Sequence, residues 1–265
     1  MLSKGEKTMN MTVGFIGGGR VTRTILTGLK KADALPKDVA VYDPNPDALV
    51  LISKLFPEAA CTDRMDIPAS KDFVFLAVHP PVMIGVLSTL KDFLKDNTLI
   101  ISLAPRWTID AMSEKMGGYR RIVRMIPNAP SLVNAGYNPV AFSDAVGSDA
   151  KQAFREFVAK LGDSPEVAEQ TIEAYAILTA MGLTYLWFQF LALQELGRSF
   201  GLSADDASAA IFRMVTGTAE TLFESGLSPS EVLDLIPVTP LKHEEETIRE
   251  IDRTNLQELY RKLTG

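Results

Sequence analysis

Three consecutive glycines, Gly17, Gly18 and Gly19, run into Arg20, Val21 and Thr22 directly behind the apolar run Val13-Gly14-Phe15-Ile16. A tight turn here, opening a helix, aims backbone N–H groups and the partial positive charge of a helix N-terminus at one spot, which suits a pyrophosphate. Gly17 permits the turn, Gly19 lets the backbone come close, and Val21, Ile25, Leu26 and Leu29 recur at helical spacing. Thr22 stands where a third small residue is usual. About twenty residues on, the run Val39-Ala40-Val41-Tyr42 ends in Asp43. Its carboxylate either accepts from a ribose hydroxyl or opens the turn Asp-Pro-Asn-Pro. A dinucleotide is the ligand this end of the chain suits.

Other chemistry is sparse. The chain of 265 residues has two histidines, His79 and His243, and one cysteine, Cys61. That gives neither zinc-ligand spacing nor a disulfide framework, so no metal is expected and a reduced, cytoplasmic compartment fits. A formal charge of −6 with scattered basic residues argues against a nucleic-acid partner. The first ten residues carry lysines and no apolar stretch of the secretory type, and Met9 and Met11 are alternative starts. Residues 174–194 hold no charge and are long enough to cross a bilayer, but Glu173 and Glu195 flank them in place of Lys or Arg. The expectation is a buried helix of a soluble protein and no membrane partner.

The elements that must position the glycine turn alternate. Short apolar runs at 13–16, 39–42, 73–78, 99–103 and 122–126 are separated by helical stretches, the sequence form of a parallel sheet with crossover helices. Past residue 162 helical patterns take over, at 168–200, 204–224 and 244–263, punctuated by Gly201, Gly226 and Pro229. The expected organisation is an α/β dinucleotide-binding domain over 1–162 followed by an all-α domain over 163–265. A helix apolar all round must be buried, and a second copy of the chain is the simplest cover. A homodimer, or a higher oligomer of dimers, is therefore expected.

In this order the features resemble the pyrroline-5-carboxylate reductase family from about Thr12 to Pro240. The segment GGGRVT followed by TILTGL is similar to that family's opening, and FVFLAVHPPVM to its fourth strand, with His79 in place of a lysine before Pro80. LIISLAPRWTI is similar to the fifth strand, with Pro105 and Arg106 where Ala-Gly is usual. Arg124-Met125-Ile126-Pro127-Asn128-Ala129-Pro130 resembles the family's Met-Pro-Asn-Thr-Pro segment, and Tyr185, Ala192, Leu193, Gly197 and Gly201-Leu202 align with its long dimerisation helix. The resemblance implies a Rossmann-type domain followed by an all-α dimerisation and substrate domain. It also implies NADP or NAD held by Gly17, Gly18, Gly19, Arg20, Val21, Asp43, Asn45, Ala77, Val78, His79 and Asn128. Asp43 facing the ribose would repel a 2′-phosphate and favour NADH. Many members prefer NADPH and approach the phosphate with residues after the second strand, here Pro44, Asn45 and Pro46, which tips the expectation to NADPH.

The substrate side departs from the pattern. Gly-Ser-Gly-Pro-Ala-Tyr becomes Ala180-Met181-Gly182-Leu183-Thr184-Tyr185, and the loop Ser-Pro-Gly-Gly-Thr-Thr becomes Thr239-Pro240-Leu241-Lys242-His243-Glu244. A backbone cradle for a small carboxylate is lost with those glycines, leaving Thr239, Lys242 and His243 as substrate-binding candidates. His79, Tyr185 and Thr184 are the candidate catalytic groups, although a protonated cyclic imine accepts hydride without a dedicated acid. The expected activity is NAD(P)H-dependent reduction of a C=N bond in a small, cyclic substrate, with pyrroline-5-carboxylate itself turned over weakly. Two alternatives stand beside it: a dinucleotide-binding or sensing protein without turnover, and a reductase using another cofactor such as a deazaflavin. The β-hydroxyacid dehydrogenases share the two-domain plan but need a lysine in the central helix, and residues 179–193 contain none.

Overall fold

The computed structural model describes residues 11–265; the alternative start at Met9 lies outside them. The five apolar runs form β1 (Val13–Ile16), β2 (Val39–Tyr42), β4 (Phe73–Leu76), β5 (Leu99–Ser102) and β6 (Ile122–Met125), joined by β3 (Ala60–Thr62) and β8 (Val140–Phe142). A separate two-residue pair is made by β7 (Gly136–Tyr137) and β9 (Gly162–Asp163). The main sheet has seven strands in the order β3-β2-β1-β4-β5-β6-β8, parallel except for the β6–β8 pair. From β3 to β6 this is the Rossmann-type order, with the switch beside β1. Val13 pairs with Val39 on one side and Phe73 on the other, so β1, β2 and β4 end level.

Helices cover both faces, which is why the strands read as unbroken apolar runs. In chain order they are α1 (Arg20–Lys31), α2 (Pro46–Leu55), α3 (Asp66–Ala69), α4 (Met83–Leu90), α5 (Ile109–Lys115) and α6 (Ser148–Val158). One face packs Phe15, Phe73 and Phe75 against Phe154 and Phe157, with Phe15 and Phe75 stacked at 4.9 Å. The other packs Val74, Leu76 and Ile100 against Met83, Leu87 and Met112. β3 and β8 were not legible in advance: the first is three residues at the sheet edge, and the second follows a Pro-rich loop and runs antiparallel.

By compactness the chain divides into Met1–Ala180 with Tyr260–Gly265, and Met181–Leu259. Residue 162 is where the main sheet's strands have given way to helices, yet 163–180 still packs with the sheet. Ile172 and Ala176 lie against Ile126 and Ala141, carried by the short helix α7 (Ile172–Tyr175) and a π-helical turn (Ala176–Met181).

The second unit comprises α8 (Gly182–Ser199), α9 (Ala204–Glu224), α10 (Pro229–Asp234) and most of α11 (Glu245–Thr264). Gly197 lets α8 approach Ala207 of α9, and Gln194 donates to Ser208 at 2.6 Å. Between Met181 and Leu259 only Ala207 is buried. Phe188, Leu191, Phe212 and Phe223 are each more than half exposed. The helical stretch Glu169–Ser199 is long and apolar enough to cross a membrane by length and composition, and its most apolar window is only 17% buried. Among the described residues of its own unit, this helix finds little of the burial expected of it.

One buried charge cluster joins the sheet to the start of that helical stretch. Arg124 on β6 is 1% exposed. Its guanidinium donates to Glu173 at 2.5 Å and to Glu169 at 3.2 Å. The same two carboxylates accept the backbone N–H of Arg106 at 3.0 Å and of Ile109 at 2.6 Å. Strand β6, the corner after β5 and the segment 169–173 are thus held by one set of charges. Removing one partner strands the arginine in a low-dielectric interior. Glu173→Ala is expected to lower unfolding free energy by about 3 kcal/mol in urea titration, because Glu169 offsets only part of the loss. An effect below about 1 kcal/mol would show the cluster to be dispensable.

Candidate dinucleotide site

The glycine turn forms where the sequence puts it. Gly17 has φ 113°, and a β-carbon there would lie 2.5 Å from the carbonyl oxygen of Ala77. The residue is therefore required by backbone conformation and by the close approach of the β4 exit. Thr22, the apparent mismatch, is fully buried and its hydroxyl donates to the Gly17 carbonyl at 2.5 Å. It closes the turn from within, a role its position five residues on makes readable. Gly19 begins α1 with φ −74° and no side-chain cap, and a β-carbon placed on it meets nothing within 4 Å. The first N–H groups of this twelve-residue helix, with Arg20 and Val21 in its first turn, face open space suited to an anion.

Asp43 opens the turn after β2, one of the two uses expected of it, and its carboxylate also holds the glycine turn. Its Oδ2 accepts the Gly18 N–H at 2.7 Å and its Oδ1 accepts the Asn45 N–H at 2.8 Å. It is both the turn residue after β2 and the group that pins the glycine turn to that strand. Each carboxylate oxygen retains a second lone pair for a ribose hydroxyl. Asn45 caps α2, accepting the Asp47 N–H at 3.0 Å through its side-chain oxygen. That bond aims the oxygen at the helix and leaves the amide –NH₂ as a donor beside the turn.

Ala77 and Val78 close the other side of Gly17. His79 is exposed in the loop that follows β4, its backbone carbonyl accepting from Val82 at 3.1 Å. Asn128 is engaged within the protein. Its amide oxygen accepts the Tyr137 N–H at 3.1 Å and its amide nitrogen donates to the Thr179 carbonyl at 3.1 Å. Its own N–H donates to Asn138 at 3.1 Å. With 8% of its surface exposed, Asn128 ties the β6 exit to β7 and to the π-helical turn and keeps one amide proton for any ligand.

The other candidates belong to the helical unit. Thr184 donates to the Met181 carbonyl at 2.7 Å along its own helix. Tyr185 is half-buried, and burial, then the charge of Asp252, raises its phenol pKa, so it remains protonated through neutral pH. Thr239 and Lys242 line one groove with Leu233, Leu241, Glu245 and Ile248, a volume of about 740 Å³. Lys242 is ion-paired there with Glu245 at 2.8 Å, and Glu245, its pKa held down to about 2 by Lys242 and then Arg249, also accepts from Arg249. Lys242 is thus not the free point charge that the sequence suggests. His243 is exposed in the adjoining turn.

Residues 12–106 match the family described as NADP oxidoreductase, coenzyme F420-dependent. The chain is 29% identical over 233 residues to the pyrroline-5-carboxylate reductase of Escherichia coli K12, covering 86% of this chain and 85% of that one. It is 27% identical over 249 residues to that of Corynebacterium melassecola, covering 93% and 92%. Among solved structures, a pyrroline-5-carboxylate reductase from Coxiella burnetii superposes with TM-score 0.71 at 29% identity, over 96% of this chain and 95% of that one. A Plasmodium falciparum pyrroline carboxylate reductase with NADP bound has the same fold, with TM-score 0.84 at 22% identity over 97% and 98%.

The two outer glycines separate folding from binding. Gly19→Val, placed in open space at an ordinary backbone angle, is expected to leave the far-UV spectrum and melting temperature unchanged while weakening NADH and NADPH at least about tenfold in calorimetry. Gly17→Val, at a positive φ against the Ala77 carbonyl, is expected to destabilise the whole domain. Unchanged affinity in folded Gly19→Val would remove the cofactor from this turn.

Proposed function

Since the chain belongs to the pyrroline-5-carboxylate reductase family, we propose that it is an NAD(P)H-dependent reductase acting on the C=N bond of a small cyclic imine other than the family's own substrate. The observation that carries this reading is the open backbone at Gly19, set where β1 meets α1, in a turn that the Gly18 N–H pins to β2 through Asp43. Gly17, Gly18, Gly19, Arg20 and Val21 would hold the pyrophosphate, and Asp43 with Asn45 the adenosine ribose and its substituent. Ala77, Val78, His79 and Asn128 border the nicotinamide half. The bound dihydronicotinamide supplies a hydride to the imine carbon. The protein's own work is to orient the ring and exclude water.

A protonated imine is already an electrophile, so the site needs a group that tolerates the iminium more than one that donates a proton. Tyr185 and Thr184 are neutral hydroxyls and suit that role, and His79 is the ionisable candidate. Substrate preference follows from the rebuilt loop. Leu241 and Lys242 stand where that loop carries glycines whose N–H groups would cradle a carboxylate, and Lys242 already has Glu245. Pyrroline-5-carboxylate is therefore expected to be a poorer substrate than a related imine of different size. Neither retention of the dinucleotide without turnover nor use of a deazaflavin is favoured by the relatives. The helical domain, taken as 163–265, is proposed to pair with that of a second copy, because its apolar side chains are exposed in one chain. The protein acts in this reading as a cytoplasmic enzyme without nucleic-acid or membrane partners.

Three measurements test it. NADPH oxidation should proceed with five- or six-membered cyclic imines at kcat/KM of about 10⁴ M⁻¹s⁻¹ or more for the best of them, and absence of turnover across the panel would leave only the binding function. NADPH is expected to be the better cofactor through Asn45, and a strong NADH preference that Asp43→Ser abolishes would reverse that assignment. Sedimentation should give at least a dimer, with Phe188→Glu shifting mass toward the monomer; a wild-type monomer would refute the pairing.

A further inference from the structure

Arg106 occupies a position where the family pattern carries glycine, and it keeps a glycine-like backbone, with φ 73°. Among the described residues, the other non-glycine residues at positive φ are Asp33 and Asn134, types that adopt this region readily. Arginine does not, so something must hold it. The holding group is Glu173, which accepts the Arg106 N–H at 3.0 Å and is itself fixed by buried Arg124. Pro105 stiffens the approach. The side chain that this strained, anchored corner presents is exposed, and its guanidinium has no hydrogen bond or ion pair among the described residues.

Strand order fixes which part of the cofactor this corner faces. Asp43 ends β2 on one side of the glycine turn, so a dinucleotide with its adenosine ribose there runs its other half over β4 and β5. The Leu103 N–H donates to the Leu76 carbonyl at 3.2 Å, and Ala77 abuts Gly17. The corner after β5 therefore lies two strand spacings, about 10 Å, from the turn. An imine must lie against the nicotinamide to receive hydride, which brings it to the same region of the sheet.

We propose that Arg106 binds the carboxylate of a ring-imine acid, taking over recognition from the missing glycine-rich cradle. This rests on the reductase reading above. The planar guanidinium offers paired donors to both carboxylate oxygens, which a single ammonium such as Lys242 cannot do. Approach of the acid from the β5 corner places the ring differently from approach by a backbone loop, and this is how the site comes to prefer another imine.

The test compares wild-type protein with Arg106→Gly, which fits the left-handed backbone better than arginine and so folds, and with Arg106→Lys. Substrates are pyrroline-5-carboxylate, its six-membered homologue and 1-pyrroline, the same five-membered ring without the acid. Arg106→Gly should raise KM for the two acids about tenfold or more, leave kcat within about threefold and leave 1-pyrroline unchanged. Arg106→Lys should recover part of the loss. Equal effects on all three substrates, or none, would overturn the proposal. Should wild-type protein reduce no imine, the reductase reading fails, and calorimetry of the NADP⁺ complex decides on Arg106 separately. Proline should then bind about tenfold more weakly to Arg106→Gly while prolinamide binding is unchanged, and equal or absent proline binding in the two proteins overturns it.

Discussion

Arg124 cannot leave its place between the sheet and the segment 169–173, and much of the first unit is arranged around that fact. An arginine 1% exposed must be neutralised and hydrogen-bonded, and Glu173 and Glu169 do both. Those carboxylates have lone pairs to spare, and they spend them on the N–H groups of Arg106 and Ile109. The corner after β5 is thereby coupled to β6. An apolar cluster of the same volume would pack as well but would leave those two buried N–H groups without acceptors. The ion cluster specifies one shape for β6 and the corner after β5.

A second constraint works at the opposite end of the site. The glycine turn must be rigid enough to present N–H groups yet bare enough for a pyrophosphate to come close. Rigidity is supplied from outside the glycines: Thr22 closes the turn through the Gly17 carbonyl, and Asp43 holds the Gly18 N–H. Bareness is kept at Gly19 alone, where added atoms meet nothing of the protein. Preorganisation of this kind lowers the ordering cost that binding would otherwise carry. The carboxylate that stiffens the turn is also the ribose acceptor of the proposed reading, so in that reading a change at Asp43 alters loop stability and cofactor binding together.

The parallel sheet and its strand order were readable because strands buried on both faces appear as short apolar runs between helical stretches, and the glycine turn because it needs backbone freedom that only glycine gives. What stayed hidden was what depends on partners distant in sequence. Asn128 stood out between two prolines, but that its amide also joins Tyr137 and Thr179 is visible only in the fold. Lys242 looked like a free charge until Glu245, three residues on, was seen to hold it. In that instance the i,i+3 spacing on a helix entry was a usable signal. Arg106 could be noted as a departure from Ala-Gly, yet its left-handed backbone and its anchor on Glu173, sixty-seven residues away, are properties of the folded chain alone.

The helical unit shows how far one chain's sequence specifies less than a complete structure. Helix α8 carries no charge before Glu195 and is rich in large apolar side chains, and its neighbour α9 meets it around Gly197 and Ala207. Phe188 and Leu191 remain in water, as do Phe212 and Phe223. A helix pair without an enclosed core gains little from burial and depends on local propensity, which is marginal for isolated helices. Such a unit acquires its stability when another apolar surface is laid on it. Assembly of that kind would bury the apolar side chains that one chain leaves exposed and would enclose the helix that carries Thr184 and Tyr185.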